Sequence, residues 1–383
     1  MKYSPQQDKA LCDISRWLKS DDQVFHLFGY AGTGKTTLAK KIAEGIKDVK
    51  FSAYTGKAAS VMKLNGCPEA STIHSLIYHP LEKSKKKLQE LRAEFLHDPS
   101  PELERDIEIE EDNIAQPGFT LNLDSELGDA DLLILDECSM VNEKIALDLM
   151  QFGTKILVMG DPAQLPPVKG EGYFMMNNPE IMLTEIHRQA KDNPIIRLAT
   201  EVRSHRHPEP GEYGESRVID RIFMNAEMVM EHDQMLVGRN VTRCAFNHRV
   251  REIKGIEDTL PVEGDKVICL RNDKDAQILN GELSTVEEII SKDPYSQVVM
   301  ELDSGKVVRS HSGIFLGEKI PYHEKFDALE FDYGYAITTH KSQGSQWPSV
   351  LIYDESSAFR NNRWKWLYTA ITRAQESVTL VYN

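Results

Sequence analysis

The most informative segment of this chain of 383 residues is Gly29-Tyr30-Ala31-Gly32-Thr33-Gly34-Lys35-Thr36, near its start. It fits the phosphate-binding loop pattern G-x-x-x-x-G-K-[ST] at every fixed position. Residues 24–28 predict a buried strand before the loop, and residues 38–43 predict an amphipathic helix after it. Glycines let the backbone N–H groups point at phosphate oxygens, and the helix N-terminus adds positive potential. The stretch therefore predicts a site for a nucleoside triphosphate.

The loop also predicts which residues hold the triphosphate. We expect the Lys35 ammonium to reach the β- and γ-phosphates and the Thr36 hydroxyl to ligate Mg²⁺, so that ATP and Mg²⁺ are the predicted cofactors. A glycine-rich turn that matches the pattern by chance is the alternative. The other residues of this segment that we predict to contact the nucleotide are Ala31, Gly32, Thr33, Gly34 and Thr37.

Two further apolar strands are predicted to end in polar groups. Residues 131–135 lead into the adjacent carboxylates Asp136 and Glu137, as a parallel strand delivers them at the carboxyl edge of its sheet. Asp136 is predicted to hold Mg²⁺ and Glu137 to orient and deprotonate the attacking water. Residues 155–159 lead into a polar turn, residues 160–168. For the carboxylates alone, an ordinary strand followed by an acidic helix start is the alternative.

The order of these motifs resembles the superfamily 1 helicases. Downstream, residues 183–189 (L-T-E-I-H-R-Q), 338–345 (T-T-H-K-S-Q-G-S) and 368–374 (Y-T-A-I-T-R-A) resemble the fourth, fifth and sixth motifs of that family. The sequence T-H-K-S-Q-G-S and residues 71–76 (S-T-I-H-S-L) resemble the motifs of its RecD-like and Dda-type branch, which moves 5′-to-3′. The motifs run from near residue 7 to residue 375, so the resemblance covers almost the whole chain.

The resemblance implies roles for residues outside the phosphate loop. Gln7 matches the glutamine that reads the adenine edge, with Gln6 as a neighbouring rival and a solvated surface glutamine as the alternative. Gln164 matches the residue that senses the γ-phosphate and links it to the DNA site. Arg188 and Arg373 match two arginines that stabilise charge on the transferring phosphoryl group, although surface ion pairs are the commoner use of arginine. Gly344 completes the predicted nucleotide site.

The predicted nucleic-acid contacts also follow the family motifs. Residues 51–54 read as a strand that leads into a helix, and in the family this junction touches the DNA backbone. Backbone contacts carry no base information, so little sequence preference is expected. A helix cap at Thr55 and packing at His74 are the alternatives, and for Trp364 and Trp366 core packing is favoured over base stacking. The predicted DNA-binding residues are Thr55, Gly56, Lys57, Thr72, His74, Thr339 and His340.

Composition narrows the class of protein. We expect no signal peptide, the sequence has no apolar run long enough to span a membrane, and the five cysteines form no C-x-x-C pair. These features predict a cytoplasmic protein, nucleoid-associated or in a phage-infected bacterial cell, without structural zinc. His205 and His207 lie in a Pro/Gly-rich stretch that is predicted as a solvated loop, with a metal site as the alternative.

The net charge of −15 is concentrated in one region. Residues 94–137 hold 15 acidic side chains and one basic side chain, whereas the rest of the chain holds 45 acidic and 44 basic. The remainder is therefore nearly neutral, and local basic patches can meet phosphates. The acidic run itself is either a solvated surface segment or a group that competes with DNA or docks a basic partner.

The predicted fold is α/β, with two tandem RecA-like P-loop motor domains and ATP in the cleft between them. The first, residues 1–185, carries a mostly helical insertion at about residues 78–125, with a helix over 81–96 and an acidic run that is predicted to be partly disordered. The second, residues 186–383, carries a small β-barrel insertion at about residues 258–325, where residues 262–270, 281–286 and 297–302 alternate like half-buried strands.

The chain departs from the family pattern in two places. The family's strand-separating pin is usually a β-hairpin in the first insertion, whereas here the insertion opens with a Lys-rich helical segment, residues 84–87. In the fifth motif, Gln346 stands where relatives often have an acidic residue.

We therefore predict an ATP-dependent DNA helicase or translocase that acts as a monomer on single-stranded and on forked or tailed duplex DNA, with replication or recombination proteins as possible partners. A nucleic-acid remodelling ATPase that displaces protein or prefers RNA is the alternative. A decayed, non-catalytic motor is disfavoured by the intact set of motifs.

Overall fold

The computed structural model describes residues 3–80, 86–115, 119–167, 172–185, 192–271, 278–318, 320 and 329–382. The strands of the first 183 residues are β1 (Val24–Gly29), β2 (Val49–Ala53), β3 (Ser71–Thr72), β4 (Tyr78–Pro80), β5 (Phe119–Leu121), β6 (Leu132–Asp136), β7 (Lys155–Gly160) and β8 (Ile181–Leu183). The later strands are β9 (Gly211–Tyr213), β10 (Ser216–Asp220), β11 (Gln234–Val237), β12 (Lys266–Cys269), β13 (Leu283–Lys292), β14 (Gln297–Leu302), β15 (Val307–His311), β16 (Phe331–Tyr333), β17 (Ala336–Thr338), β18 (Trp347–Tyr353) and β19 (Ala374–Tyr382).

The α-helices of the described residues follow the same order along the chain. They are α1 (Pro5–Trp17), α2 (Lys35–Ala43), α3 (Gly56–Leu64), α4 (Ile73–Ile77), α5 (Lys86–His97), α6 (Pro101–Ala115), α7 (Glu143–Met150), α8 (Pro194–Arg203), α9 (Ala226–Glu231), α10 (Asn240–Ile253), α11 (Ser312–Phe315) and α12 (Arg363–Ile371). Short 3₁₀ turns lie between several of them, for example at Cys138–Met140 and Ser356–Asn362.

The first sheet is six-stranded, in the order β3-β2-β6-β7-β1-β8, and its paired strands are all parallel. Its central strands are apolar and buried, as strands with both faces covered must be. One face packs against α1, α2 and α3 through a core that includes Ile14, Leu38, Met62, Ile134 and Leu157. Because the strands are parallel, the loops that follow β1, β2, β6 and β7 all lie at one edge of the sheet.

The second sheet is also six-stranded, in the order β17-β11-β18-β19-β10-β9. Its strands are parallel except at one edge, where β9 pairs antiparallel with β10. The buried strands β11 and β18 follow the same apolar rule as the first sheet. The fold is thus α/β with parallel sheets.

The chain divides into two compact units. The first comprises Met1–Leu76, Glu126–Glu257 and Tyr333–Asn383 and contains both parallel sheets. The second comprises Ile77–Ser125 and Asp258–Asp332. It contains the helix pair α5 and α6, the antiparallel β4–β5 ladder, and most of a five-stranded sheet in the order β15-β14-β13-β12-β16.

Several elements differ from the sequence predictions. The acidic run predicted to be partly disordered contains the 15-residue helix α6, whose first-turn carboxylates Glu102 and Glu104 suit the positive helix N-terminus. The strand predicted over residues 262–270 begins only at Lys266, because Gly264, with φ of +83°, makes a turn before it. The first part of the helix predicted over residues 81–96 lies outside the described residues, which resume in α5.

No helix among the described residues is long and apolar enough to cross a membrane.

Candidate active site

The phosphate loop joins β1 to α2 with a backbone that only glycine allows at two places. Gly32 and Gly34 have φ of +77° and +83°. A Cβ at Gly29 would lie 2.7 Å from Thr33 Oγ1 and 2.8 Å from Leu183 Cβ, so no side chain fits there. Within the loop, the Thr33 hydroxyl donates to the Tyr30 carbonyl at 2.8 Å. The sequence therefore folds this segment into a tight turn at the carboxyl edge of β1.

The Lys35 ammonium lies back on the loop that precedes it. Its Nζ donates to the carbonyl oxygens of Gly29 and Tyr30 at 2.6 and 3.3 Å. Thr36 and Thr37 follow it in the first turn of α2 and are half-buried. The ammonium, the loop amides and the Thr36 hydroxyl are thus placed at one helix N-terminus, which favours anions.

The two predicted carboxylates follow β6, in the middle of the same sheet edge. The Glu137 N–H donates to Asp136 Oδ1 at 2.8 Å. Glu137 adopts the left-handed backbone conformation, with φ of +53°, which is uncommon outside glycine and typical of functional sites. Burial raises the pKa of both carboxyls. The Lys35 charge acts against this rise at Asp136, and the Arg373 charge acts against it at Glu137.

The turn after β7 is held by an internal carboxylate. Asp161 is 3% exposed, and its Oδ1 accepts from the Ala163 N–H at 2.9 Å. The Gln164 N–H donates to the Asp161 carbonyl at 3.1 Å, and its side-chain Oε1 accepts from Arg373 Nη2 at 3.4 Å. The predicted γ-phosphate sensor and one predicted arginine are therefore in contact.

Arg373 is 3% exposed and held by several carbonyl groups. Its Nε donates to the Thr369 carbonyl at 3.1 Å and its Nη1 to the Ser345 carbonyl at 3.3 Å. Such a buried guanidinium is unlike a surface ion pair, which was the alternative. The other predicted arginine, Arg188, lies outside the described residues.

The two rival glutamines of α1 contact different parts of the first unit. Gln7 is 2% exposed; its amide donates to the Thr33 carbonyl at 3.0 Å, and its Oε1 accepts from the Ser4 N–H at 3.1 Å. Gln6 accepts from the Thr184 and Glu185 N–H groups at 2.8 and 3.0 Å. Gln7 therefore touches the phosphate loop, and Gln6 touches the segment that follows β8.

Four residues that the sequence reasoning did not single out also lie at this site. Tyr368 and Thr369 of α12 reach the first sheet: Tyr368 Oη accepts from the Ala31 N–H at 2.9 Å, and Thr369 Oγ1 accepts from the Leu165 N–H at 2.8 Å. Gln343 donates to the Leu165 carbonyl at 3.0 Å, and Arg203 stacks on a loop tyrosine. Proximity to Arg373 in the sixth motif was a signal for Tyr368 and Thr369, whereas Arg203 lies in no motif.

The first predicted nucleic-acid contacts gather at the N-terminus of α3. Thr55 caps that helix, with its hydroxyl accepting from the Ala58 N–H at 3.2 Å, and Gly56 is the first helical residue. The Lys57 ammonium lies 5.5 Å from the centre of the Trp347 ring. Gly344 faces the same helix end, since a Cβ there would lie 2.7 Å from Thr55 Oγ1.

The remaining predicted contacts have different surroundings. Thr72 caps the short helix α4, with its hydroxyl accepting from the Ser75 N–H at 3.1 Å. His74 packs edge-on against the Tyr54 ring, and burial lowers the pKa of its imidazole. Thr339 is fully buried and its hydroxyl donates to a backbone carbonyl at 3.4 Å. The structure thus keeps the Thr339 hydroxyl away from the surface.

The aromatic and histidine side chains near α12 pack against one another. His340 packs against the Phe359 ring, and burial lowers the pKa of its imidazole. Trp366 is fully buried, as expected for core packing, and Trp364 stacks on the His205 ring at 5.6 Å. Within the described ranges no group of three or more His, Cys, Asp or Glu side chains could hold a metal ion.

Two family models match most of the chain. The model described as an AAA domain matches residues 2–221, and the model described as a UvrD-like helicase C-terminal domain matches residues 333–381.

Two of the similar proteins with assigned names are helicases. The ATP-dependent RecD2 DNA helicase of Deinococcus radiodurans is 27% identical over 91% of this chain and 46% of its own length. The ATP-dependent DNA helicase Pif1 of Bdellovibrio bacteriovorus is 24% identical over 90% of this chain and 80% of its own length. The chain thus spans about half the length of the RecD2 relative.

Solved structures share the fold at low identity. The Pif1 helicase from Bacteroides in complex with ADP-AlF3 and ssDNA gives a TM-score of 0.52 at 18% identity, covering 99% of this chain and 92% of that one. The Pif1 helicase from Candida albicans gives 0.50 at 19% identity, covering 100% and 94%.

Proposed function

We propose that this chain, which belongs to the AAA domain family and is a superfamily 1 helicase of the RecD/Pif1-like kind, hydrolyses ATP to move along and unwind DNA. Single-stranded DNA is proposed to stimulate the hydrolysis. The observation that carries the proposal is the contact between Gln164 and the buried Arg373, beside the phosphate loop and the carboxylates of β6. This contact joins the first sheet to the second at the residues that the reaction needs.

The proposed reaction is in-line attack of water on the γ-phosphorus of ATP, which breaks the bond to the β–γ bridging oxygen and releases ADP and phosphate. The loop amides and Lys35 hold the phosphates, and Glu137 takes the proton from the attacking water. Arg373, and Arg188 by resemblance, stabilise the charge that develops on the transferring phosphoryl group, for which a planar and permanently charged guanidinium is suited. Gln164 belongs to the turn after β7 and accepts a hydrogen bond from Arg373, which suits a sensor of the γ-phosphate. Gln7 is proposed to read the adenine edge by exchanging its contact with Thr33.

The residues present fit a bound Mg²⁺. Asp136 and Thr36 supply the hard oxygen ligands that Mg²⁺ prefers. The pKa values of Asp136 and Glu137 are raised because nearby positive charges do not fully offset the burial of their carboxyls. A bound cation would stabilise the charged carboxylates. When bound, Mg²⁺ neutralises charge on the β- and γ-phosphates.

The proposed nucleic-acid path begins at the N-terminus of α3. Thr55, Gly56 and Lys57 present a helix end and an ammonium, both suited to phosphate groups. His74 and His340 are half-buried and largely neutral at pH 7 because burial lowers their pKa, so they suit hydrogen bonding better than charge pairing. The 5′-to-3′ direction is supported by the resemblance to the RecD-like and Dda-type branch.

The finer architecture belongs to the same proposal. Each parallel sheet with its helices is proposed to be one RecA-like motor domain, over residues 1–185 and 186–383. The helices α5 and α6, and the antiparallel sheet of β12 to β15, are proposed to be insertions into the first and second motor domains. We further propose that the protein acts as a monomer on single-stranded and forked DNA, in the cytoplasm where bacterial or phage DNA is found.

One observation favours a second candidate function. Among the residues that the structure describes, the segment between β4 and β5 consists of the helices α5 and α6, where a strand-separating β-hairpin would be expected. A motor without such a pin can translocate and displace proteins without efficient unwinding.

The test is ATP turnover with and without single-stranded DNA or RNA, followed by unwinding of duplexes with a 5′ or a 3′ tail. We expect DNA to stimulate turnover and only the 5′-tailed duplex to be unwound, with Lys35→Ala as the inactive control. Stimulated turnover without unwinding of either duplex would favour the remodelling ATPase. Absence of DNA- and RNA-stimulated turnover would contradict both functions.

A further inference from the structure

The Tyr368 hydroxyl joins three segments that are far apart in sequence. Tyr368 lies in α12 and is 2% exposed. Its Oη accepts from the Ala31 N–H of the phosphate loop at 2.9 Å and donates to Asp161 Oδ2 at 2.7 Å. One hydroxyl of the second sheet's helix therefore connects the loop after β1 with the turn after β7.

The direction of these hydrogen bonds follows from the protonation of the phenol. Burial, together with the nearby Asp161 carboxylate, raises the pKa of Tyr368 well above its ordinary value, so the hydroxyl keeps its proton. It can then donate only to the carboxylate, because the Ala31 amide is itself a donor. A hydrogen bond from a neutral hydroxyl to a buried carboxylate is stronger than one between neutral groups.

The connection continues from Asp161 to the predicted catalytic side chains. Its other oxygen, Oδ1, accepts from the Ala163 N–H at 2.9 Å, and its carbonyl accepts from the Gln164 N–H at 3.1 Å. Gln164 in turn accepts from Arg373 at 3.4 Å. A series of hydrogen-bonded groups thus runs from a phosphate-loop amide through Tyr368 and Asp161 to Arg373.

A second contact holds the same part of the loop. The Arg203 guanidinium, at the end of α8, lies 3.7 Å from the centre of the Tyr30 ring. Tyr30 and Ala31, the outer residues of the loop, are therefore both held by side chains that come from helices of the second sheet.

We propose that Tyr368 is a positioning residue for ATP hydrolysis, which sets the orientation of Gln164 and Arg373 according to the state of the phosphate loop. The proposal rests on the ATPase function proposed above. The lysine and the remaining loop amides hold the phosphates without Tyr368. Loss of its hydroxyl is therefore expected to reduce turnover, and its stimulation by DNA, more than nucleotide binding.

The test compares two single-atom deletions, Tyr368→Phe and Tyr382→Phe. Tyr382 is the matched control, because its hydroxyl donates to the Pro208 carbonyl and takes no part in the series above. For Tyr368→Phe we expect kcat with single-stranded DNA to fall about tenfold or more, with a change in KM for ATP below about threefold. For Tyr382→Phe we expect both constants to stay within about twofold of the unsubstituted protein.

A second substitution separates positioning from folding. Asp161→Asn keeps one side-chain oxygen, which can accept from either the Ala163 N–H or the Tyr368 hydroxyl. It removes the negative charge that Tyr368 faces. Because Tyr368 is proposed to act through Asp161, the double variant is expected to be no slower than the slower single variant. Thermal melts of all variants show whether each is folded, and if Tyr368→Phe is not, Asp161→Asn alone carries the test through the same fall in kcat.

The outcomes distinguish this proposal from the one on which it rests. If the unsubstituted protein shows no DNA-stimulated turnover, the ATPase function fails. If it does, and Tyr368→Phe behaves like Tyr382→Phe, the positioning role alone is overturned. Equal losses in kcat and in ATP affinity would also overturn it, because they would indicate a ground-state contact.

Discussion

At the scale of single residues, the site concentrates buried charge where a reaction would use it. The charged groups of four side chains lie close enough to act on one another: Asp136, Glu137, Asp161 and Arg373. Burial raises the pKa of Asp136 and Glu137. Glu137 also holds an uncommon left-handed backbone. Such a collection is costly for folding unless ligands compensate it, so it favours a functional origin over a structural one.

The clearest residue-scale prediction concerns Glu137. Glu137→Gln keeps the size and polarity of the side chain but removes the base, so ATP should bind and persist while turnover falls about 10²- to 10⁴-fold. Nucleotide binding by equilibrium fluorescence and turnover by phosphate release check the two halves. Asp148→Asn, a substitution on α7, serves as the control and should hydrolyse normally. Normal turnover by Glu137→Gln would place the base elsewhere.

A second residue-scale prediction concerns pH. Burial lowers the pKa of His74 and His340, so below about pH 6.5 the unfolded chain takes up protons before the folded protein does. The free energy of unfolding should therefore fall as the pH drops from 7 through the lowered pKa values. The double variant His74→Gln/His340→Gln should show a shallower fall in urea titrations at several pH values. Parallel curves for the two proteins would contradict the assignment.

At the scale of elements, the end of α3 and the fifth-motif turn form one contact. Gly344, with φ of +76°, sits where a Cβ would lie 2.7 Å from Thr55 Oγ1 and 3.3 Å from Ala58. Trp347 lies beside Lys57 of the same helix. The helix end that is proposed to bind phosphates is therefore in contact with the turn that leads into β18.

The prediction at this scale compares two glycines. Gly255 has nearly the same φ as Gly344, +75°, but nothing within 4 Å of its missing Cβ. Gly255→Ala should lower the free energy of unfolding by about 1 kcal/mol, because only the strain of a left-handed backbone at alanine acts there. Gly344→Ala should cost more and should also weaken single-strand binding, because its methyl group displaces the Thr55 cap. Denaturant melts and DNA titrations measure both, and equal effects at the two sites would exclude a role for the contact.

The elements also show what could be read from the sequence. Strands β1, β6 and β7 were predictable because buried parallel strands are continuous apolar runs. The strands β3 and β8 have two and three residues, too few for any periodicity. Helix α6 was not predicted because its acidic composition indicates a solvated segment. Composition alone does not show that acidic side chains in the first turn are stabilised by the positive end of the helix.

The same limit applies to the candidate site. Motifs gave Lys35, Glu137 and Gln164, because phosphate and metal chemistry fixes residue types and spacing locally. Nothing local predicts that Tyr368 contacts Ala31 across 337 residues of sequence, or that Arg203 stacks on Tyr30. Those contacts depend on how the helices of the second sheet meet the first, which is a property of the packed unit.

For the molecule as a whole, the charge distribution would affect how the proposed DNA substrate approaches. The net charge of −15 opposes a polyanion, yet most of the excess lies in residues 94–137. Helix α6 carries exposed carboxylates at Glu102, Glu104 and Asp106. Repulsion of this kind acts over about 10 Å at 0.1 M salt and farther at lower salt, so its influence on DNA affinity depends on ionic strength.

The last prediction distinguishes a long-range effect of the net charge from local competition between helix α6 and DNA. Replacing Glu102, Glu104 and Asp106 by Gln, Gln and Asn removes three negative charges from α6. The matched control replaces Glu209, Glu212 and Glu215 by Gln, which removes three exposed charges from the first unit. We expect both variants to bind single-stranded DNA about equally more tightly at low salt and like the unsubstituted protein at moderate salt, because screening removes a long-range field.

Fluorescence anisotropy at about 20 and 200 mM salt measures these affinities, a range over which the Debye length shortens about threefold. A larger gain for the α6 variant than for the control would contradict the general field and identify α6 as a competitor for the DNA path. A gain that persists at moderate salt would contradict both electrostatic explanations, since neither survives screening. Equal gains that fade with salt would leave α6 as a solvated helix whose charge acts only through the net charge of the molecule.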